Sequence, residues 1–233
     1  MVVFDYIFFY TFTLLVYGVA MALYRRYRVA LLHPIILSAA AIIVVIIGLL
    51  EYSVEEFDVA MTPVNFMLGP AVVTLGWSLY KQIDNLRAHM VSILTTIFIG
   101  AVVGVVSVIL ISRLFGADLV VEASLIPKSV TTPIALEVSH RAGGIRALTA
   151  VMVVLTGIYG SVVAPAVLRA ARVTDPVAKG LAIGAAAHAV GTARAMEIGA
   201  VEGAIGALAI GLMGLMTAVL TPMIQHVVNM FGV

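Results

Sequence analysis

Long apolar runs alternate along this chain with short loops that hold almost all of its charge. The runs "AAAIIVVIIGLL", "IFIGAVVGVVSVILI" and "AIGALAIGLMGLMTAVL" are too long and too uniform for the stripe of a surface helix. They predict membrane-crossing helices over about 3–24, 33–50, 90–112, 147–168 and 203–228. Three further segments, about 60–80, 118–140 and 177–199, are long enough to cross but carry proline, glycine or polar residues at their middles. Each either crosses fully or turns back inside the membrane. The pattern as a whole predicts an all-α polytopic protein of about 7–8 membrane segments, with discontinuous helices, folded as a single transmembrane domain over 1–233.

Composition agrees with the pattern. Of 233 residues 63% are hydrophobic and 11% charged, and mean hydropathy is +1.17. Soluble domains carry more than twice that share of charge, roughly 25%. The expected home is the cell (inner/cytoplasmic) membrane, with lipid as the constant neighbour. A net charge of +1 with no basic cluster argues against a nucleic-acid partner. The absence of cysteine excludes disulfides and thiolate metal sites. No metal-ligand spacing, phosphate loop or nucleophile motif stands out, and "GPAVVTLG" and "GTARAMEIG" lack the strand-then-helix setting of a nucleotide site. An intramembrane enzyme is therefore the weakest of the function classes. The charges of the first apolar stretch follow it instead of preceding it, which predicts a retained helix and not a cleaved signal.

Arg25, Arg26 and Arg28 mark one loop as cytoplasmic, the acidic stretch "EYSVEEFD" reads as an external loop, and "KQIDNLR" is cytoplasmic again. Beyond that point the assignment depends on segment 118–140. If it crosses, Arg141 and Arg146 lie inside and Arg169, Arg172 and Lys179 outside; if it turns back, the two groups exchange sides. Tyr24, Trp77 and Tyr80 read as interfacial anchors, as do His33, His89 and His226.

Laying Ile126 onto Ile183 sets "IPKSVTTPIALEVSHRAGG" over "IGAAAHAVGTARAMEIGAV" without gaps, and in each copy an apolar helix ending in proline follows (Pro165, Pro222). The same shift pairs Pro70 with Pro127, so repeat units of about 60–115, 118–170 and 177–230 are predicted, with a third break near Asn65 and Pro70. Repeated units with broken helices at the membrane midplane are transporter architecture. Gly203, Gly206, Gly211 and Gly214, set among alanines, permit close helix approach, and the small chain suggests a homodimer or larger homo-oligomer.

The stretch "IPKSVTTPIALEVSHR" holds the densest chemistry. Pro127 and Pro133 remove backbone donors and disfavour helix in the residues before them. Thr132 followed by Pro133 reads as an N-cap and first helical position, leaving free N–H groups that point into the break and suit a carboxylate. Lys128, Ser129 and Thr131 stand beside it. In the later segment Gly191 is expected to end one half-helix and Thr192 to cap the next, with His188 one turn before and Arg194 and Glu197 three apart. The substrate-binding set is thus Lys128, Ser129, Thr131, Thr132, Pro133, His188, Gly191, Thr192 and Arg194. His188 and Glu197 are candidates for coupling to H⁺, and backbone carbonyls at the breaks for Na⁺; no cofactor or metal is otherwise expected. Blander roles compete: Lys128 snorkelling or neutralising Glu137, His188 as a hydrogen-bonded packing residue, Arg194 and Glu197 as a structural pair.

The blocks "LGPAVVTLGWSLYKQIDNLR", "SLIPKSVTTPIALEVS", "GGIRALTAV" and "AAAHAVGTARAMEIGAVEGA" occur in the order found in the LrgB/CidB family, which the chain resembles over about 30–230. The resemblance implies one of two roles. Members are described as holin-like or antiholin-like modulators of murein hydrolase export and autolysis, acting with a smaller membrane partner, LrgA or CidA. Others look like carriers of small monocarboxylates: pyruvate in bacteria, and glycolate with glycerate in a plant plastid protein that fuses both partners.

Overall fold

The structure is a computed structural model that describes residues 3–27, 32, 34–81, 83–88 and 90–230. Arg28, His33 and His89 lie outside the described residues. Among those described the chain is helical, with no strand, and forms two compact units, Met1–Pro70 and Ala71–Val233.

The first unit holds α1 (Val3–Tyr27), α2 (Pro34–Ile42), which continues as a π-helical stretch over Ile43–Leu49, and α3 (Val54–Phe66). Its core is Phe9, Ile46, Ala60 and Met61, and Phe9 meets Tyr52 and Phe57 edge-on at 5.0 and 5.6 Å. The Tyr10 hydroxyl donates to the Ala60 carbonyl at 2.7 Å. Most of the acidic stretch read as a loop is the start of α3. Ser53 caps it, and Glu56 reaches back to accept from the Ser53 N–H at 2.8 Å. This is a capping box, spelled in the sequence as S-V-E-E.

α3 is followed after Met67 by α4 (Leu68–Lys81). Pro70 lacks the N–H that would bond the Phe66 carbonyl, which interrupts the ladder there. The interruption keeps helical backbone at Met67 (φ −65, ψ −14) and is exposed, with Asn65 donating to Asp58 at 3.3 Å. At the position of the third break expected near Asn65 and Pro70, α3 ends at Phe66 and α4 begins at Leu68.

The second unit continues with α5 (Ile83–Ala88), α6 (Met90–Leu114), α7 (Leu119–Leu125), a 3₁₀ turn (Ile126–Ser129), α8 (Thr132–Arg141), α9 (Arg146–Ala170), α10 (Pro176–Ile198) and α11 (Ala200–Met230). Over the described residues, four stretches are long and apolar enough to cross a membrane: Tyr6–Tyr27, Met90–Leu114, Arg146–Ala170 and Ala200–His226, with Pro34–Leu49 a shorter apolar helix.

Segments 118–140 and 177–199 both turn back. In the first, the hydroxyl of Thr149, at the start of α9, is hydrogen-bonded to the Ser124 carbonyl (3.0 Å) and the Ser139 hydroxyl (2.6 Å). The Ile145 N–H donates to Ser124 Oγ at 2.7 Å. A continuous helix would hold Ser124 and Ser139 about 22 Å apart. α7 and α8 are thus the two arms of a hairpin that opens beside the N-terminus of α9.

In the second, a Cβ placed on Gly191 would stand 3.0 Å from the Ile183 carbonyl. A straight helix would separate these residues by about 12 Å. Gly206 of α11 likewise faces both the Gly180 carbonyl and the Thr192 side chain. α10 is therefore a hairpin whose arms fold on one another, turning at Ala187 (φ −131, ψ 17) and His188 (φ 42, ψ −136). It opens beside the N-terminus of α11, where Gly180 meets Glu202 and Met196 meets Gly203. The returning arms are Thr132–Arg141 and the stretch from His188 to Ile198. At the helical rise each is roughly 15 Å long, about half of a bilayer's hydrocarbon.

Candidate functional site

The two turning points lie along the middle of α9, reached from its opposite ends. Ala187 packs on Gly160, and the His188 ring on Gly157. The 3₁₀ turn of the first hairpin contacts both α9 and α10. Val130, Thr131, Ala187 and His188 are all buried. Backbone groups freed by a break need protein or water around them, and these two breaks are enclosed by protein.

At the first break Pro127 (φ −84, ψ 19) distorts the 3₁₀ turn, Val130 and Thr131 are extended, and α8 then begins. Thr131, not Thr132, occupies the N-cap position, which places Thr132 and Pro133 as the first two helical residues. The one-residue difference matters because Thr131 is the buried member, 8% exposed, and its hydroxyl caps nothing and has no hydrogen-bond partner. A buried hydroxyl without a partner is costly, roughly 1–3 kcal/mol, and such groups call for an explanation. Lys128 is half-buried and donates to Ser129 Oγ at 3.1 Å. Glu137 is bound by Arg141 at 2.6 Å, so Lys128 does not neutralise it.

At the second break the reversal falls at Ala187–His188, one turn earlier than the expected end at Gly191. Gly191 and Thr192 sit inside the returning arm. Gly191 serves packing, its missing side chain making room for Ala187 and Ile183. Thr192 is 3% exposed, lies in the arm's first turn against Gly206, and its hydroxyl also lacks a partner. His188 Nε2 lies 2.9 Å from the Val153 carbonyl. A carbonyl can only accept, so Nε2 carries the proton and donates it, which leaves Nδ1 as the ring's other polar atom. Arg194 and Glu197 pair with each other on the exposed side of the arm, at 47% and 55% exposure. The pair is therefore set apart from the two buried turns: Lys128, Ser129, Thr131, Thr132 and Pro133 belong to the first, whose 3₁₀ turn contacts α9 and α10, and His188, Gly191 and Thr192 to the second turn and its returning arm.

Two features escaped the sequence reading. Glu122, 2% exposed, receives Arg113 Nε at 2.8 Å and tethers α7 to the end of α6; the signal was the pair of opposite charges flanking the tight turn at Gly116 (φ 70). Thr217 and Thr221 of α11 are buried with unpartnered hydroxyls, isolated polar residues in an otherwise apolar run. No group of three or more metal-binding side chains occurs among the described residues.

Residues 13–227 match the LrgB-like family. Among curated relatives, the protein named "Antiholin-like protein LrgB" of Bacillus mycoides (strain KBAB4) is 33% identical over 211 residues, covering 91% of this chain and 92% of its own length. Proteins of the same name from Bacillus cereus (strain B4264) and Bacillus anthracis (strain CDC 684 / NRRL 3495) are each 32% identical over the same shares. No solved structure matches the chain. A family match across nearly all of the sequence, with relatives of that name about a third identical over nine-tenths of it, makes the chain a member of the LrgB-like family.

Proposed function

We propose that the protein is a carrier of small monocarboxylates of the pyruvate, glycolate or lactate type in the cytoplasmic membrane, working with an LrgA/CidA-type partner and as a homo-oligomer. The observation that carries this reading is the pair of opposed hairpins with buried, unpartnered threonine hydroxyls, Thr131 at the first turn and Thr192 one turn into the second returning arm. Leading N–H groups and a positive dipole end favour a carboxylate there, and a one-charge ligand needs few polar partners. The turning points Thr131 and His188 are separated by the same interval as Ile126 and Ile183, as expected for two repeated units entering from opposite sides. With "KQIDNLR" inside, re-entrant hairpins put Arg169, Arg172 and Lys179 inside as well, in keeping with the positive-inside rule. Coupling to H⁺ through His188, or to Na⁺ through carbonyls at the turns, completes the reading.

Uptake of labelled pyruvate, glycolate and lactate into proteoliposomes, with and without the partner, tests it. Thr131→Val and Thr192→Val should each lower uptake by about tenfold or more while leaving the fold at least as stable, because each removes a buried hydroxyl that bonds nothing in the protein. Wild-type uptake by both variants would refute the site. The relatives' name favours a second reading, an antiholin-like brake on autolysis. Under that reading loss of the gene changes lysis rate, and none of the three acids is taken up.

A further inference from the structure

A groove of about 820 Å³ runs along α8 and the second half of α11, lined among others by Pro133, Glu137, Arg141, Ala218, Thr221 and Gln225. Its axis follows α8 from the first turn of that arm, at the buried break, to its last turn at Arg141. At the deep end Ile134 seats on Gly214, where a Cβ would come within 2.5 Å of Ile134 Cδ1. The groove is mostly apolar, but three polar features favour water in it over a lipid chain. Glu137 and Arg141 pair on the last turns of α8 with their side chains more than half exposed, and such a pair is costly against hydrocarbon. Thr221, a lining residue, has a buried hydroxyl without a protein partner just behind the groove wall. Gln225 continues the polar side toward the mouth.

We propose that this groove is an aqueous vestibule through which a small carboxylate reaches the N-terminus of α8, with the Glu137–Arg141 pair at its mouth and Thr221 on its wall. The proposal rests on the carrier reading and assigns the site its route, on the side of the membrane where Arg141 lies. Glu137 and Arg141 neutralise one another, so the mouth neither holds nor repels a monoanion strongly, as a passage requires.

The chain has no cysteine, so single cysteines report directly. Ala142→Cys, Ala218→Cys and Ile134→Cys sample the mouth, wall and deep end; Val219→Cys, exposed on α11 but outside the groove lining, is the control. In sealed vesicles a charged, membrane-impermeant methanethiosulfonate should modify the three groove cysteines and spare the control, whose thiol in lipid does not ionise and reacts only after the membrane is dissolved. Pyruvate should slow modification at Ile134→Cys by about threefold or more. Access of the charged reagent without protection by pyruvate would uphold the vestibule and count against the carboxylate reading. Failure of all three to react until the membrane is dissolved would mean a groove filled by lipid or by a partner helix and would overturn the proposal. Ala142→Cys and Ala218→Cys are small changes that keep the test decisive if Ile134→Cys perturbs folding.

Discussion

In the first hairpin the reversal is written into the local chain by Pro127 and the extended Val130 and Thr131 that follow it, and its arms are tied to their surroundings by polar bonds: Arg113 to Glu122, Ile145 to Ser124, Thr149 to Ser124 and Ser139. The second hairpin has neither proline nor glycine at its turn. It is held by close packing on glycines, Gly157 and Gly160 of α9 beneath the turn, Gly180 and Gly184 against α11, and Gly191 between its own arms. Polar bonds specify one geometry and are expensive to break singly, whereas glycine packing has many small contacts and fails when a methyl is added. The contrast suggests that the first hairpin is the fixed wall of the site and the second the part whose seating can change.

The largest effect should come from the polar side. Arg113→Ala leaves the buried Glu122 carboxylate without its charged partner. It should destabilise the second unit by about 3 kcal/mol, the low end for such pairs because Arg113 is partly exposed. Thermal unfolding in detergent reads this out. If Glu122→Gln alone is equally damaging but Arg113→Ala with Glu122→Gln is nearly neutral, the cost is the unpaired charge. Equal damage in all three would show that the two arms are held by something else.

The next effect tests the glycine side. A Cβ on Gly157 would meet His188 Cε1 at 2.6 Å, and one on Gly184 would meet the Gly206 carbonyl at 2.5 Å, both too close for even alanine. Gly157→Ala and Gly184→Ala should each cost about 1–3 kcal/mol, the range for overpacking. A sharper expectation is that Gly157→Ala reduces uptake more than Gly184→Ala at equal loss of stability, since only the former displaces the turn. Parallel losses would remove the reason for treating the turn as functional.

The difference between the hairpins also explains what was legible beforehand. Apolar runs located α6, α9 and α11 to within a few residues because bilayer thickness imposes a length. Pro127 and Pro133 announced the first break because proline acts through its own backbone, and the error of one residue at the cap came from two adjacent threonines that cap equally well by type. The second break was misplaced by a turn. Gly191 was taken for a helix end, yet the reversal belongs to Ala187 and His188, whose conformation is imposed by α9 and carries no local signature. That both segments turn back was undecidable from spacing, since the contacts proving it join Ser124 to Ser139 through Thr149, and Ile183 to Gly191. Arg194 and Glu197 drew attention by charge alone, and their mutual pair satisfies both at the surface.

His188 offers a test of smaller size but clear sign. Its φ of 42 and ψ of −136 lie where a side chain is strained and glycine is not. Such strain costs of order 1–3 kcal/mol. Its ring meanwhile fills the space over Gly157 and bonds Val153. His188→Gly and His188→Ala both lose ring and hydrogen bond, but only the glycine relieves the backbone. The glycine variant should therefore be the more stable of the two by about 1 kcal/mol, an inversion of the usual helix preference for alanine. If alanine is the better tolerated, the reversal is not held in place by tertiary contact, and the contrast drawn between the hairpins loses its main support.

The smallest effect should be at Pro133. It is the second residue of α8, where a missing N–H is no loss because no carbonyl one turn earlier awaits it, and its fixed φ suits the first turn. The reversal itself is made upstream, by the extended Val130 and Thr131. Pro133→Ala should thus keep the hairpin and lower stability by less than about 1 kcal/mol, chiefly through a more flexible unfolded chain. Its added N–H would be a further donor facing the break. If that terminus receives the substrate's carboxylate, half-saturation for pyruvate should stay the same or fall, with the maximal rate changed by less than about twofold. A rise in half-saturation of tenfold, with stability unchanged, would mean that the proline ring itself shapes the site. The first hairpin would then be tuned by packing as the second is.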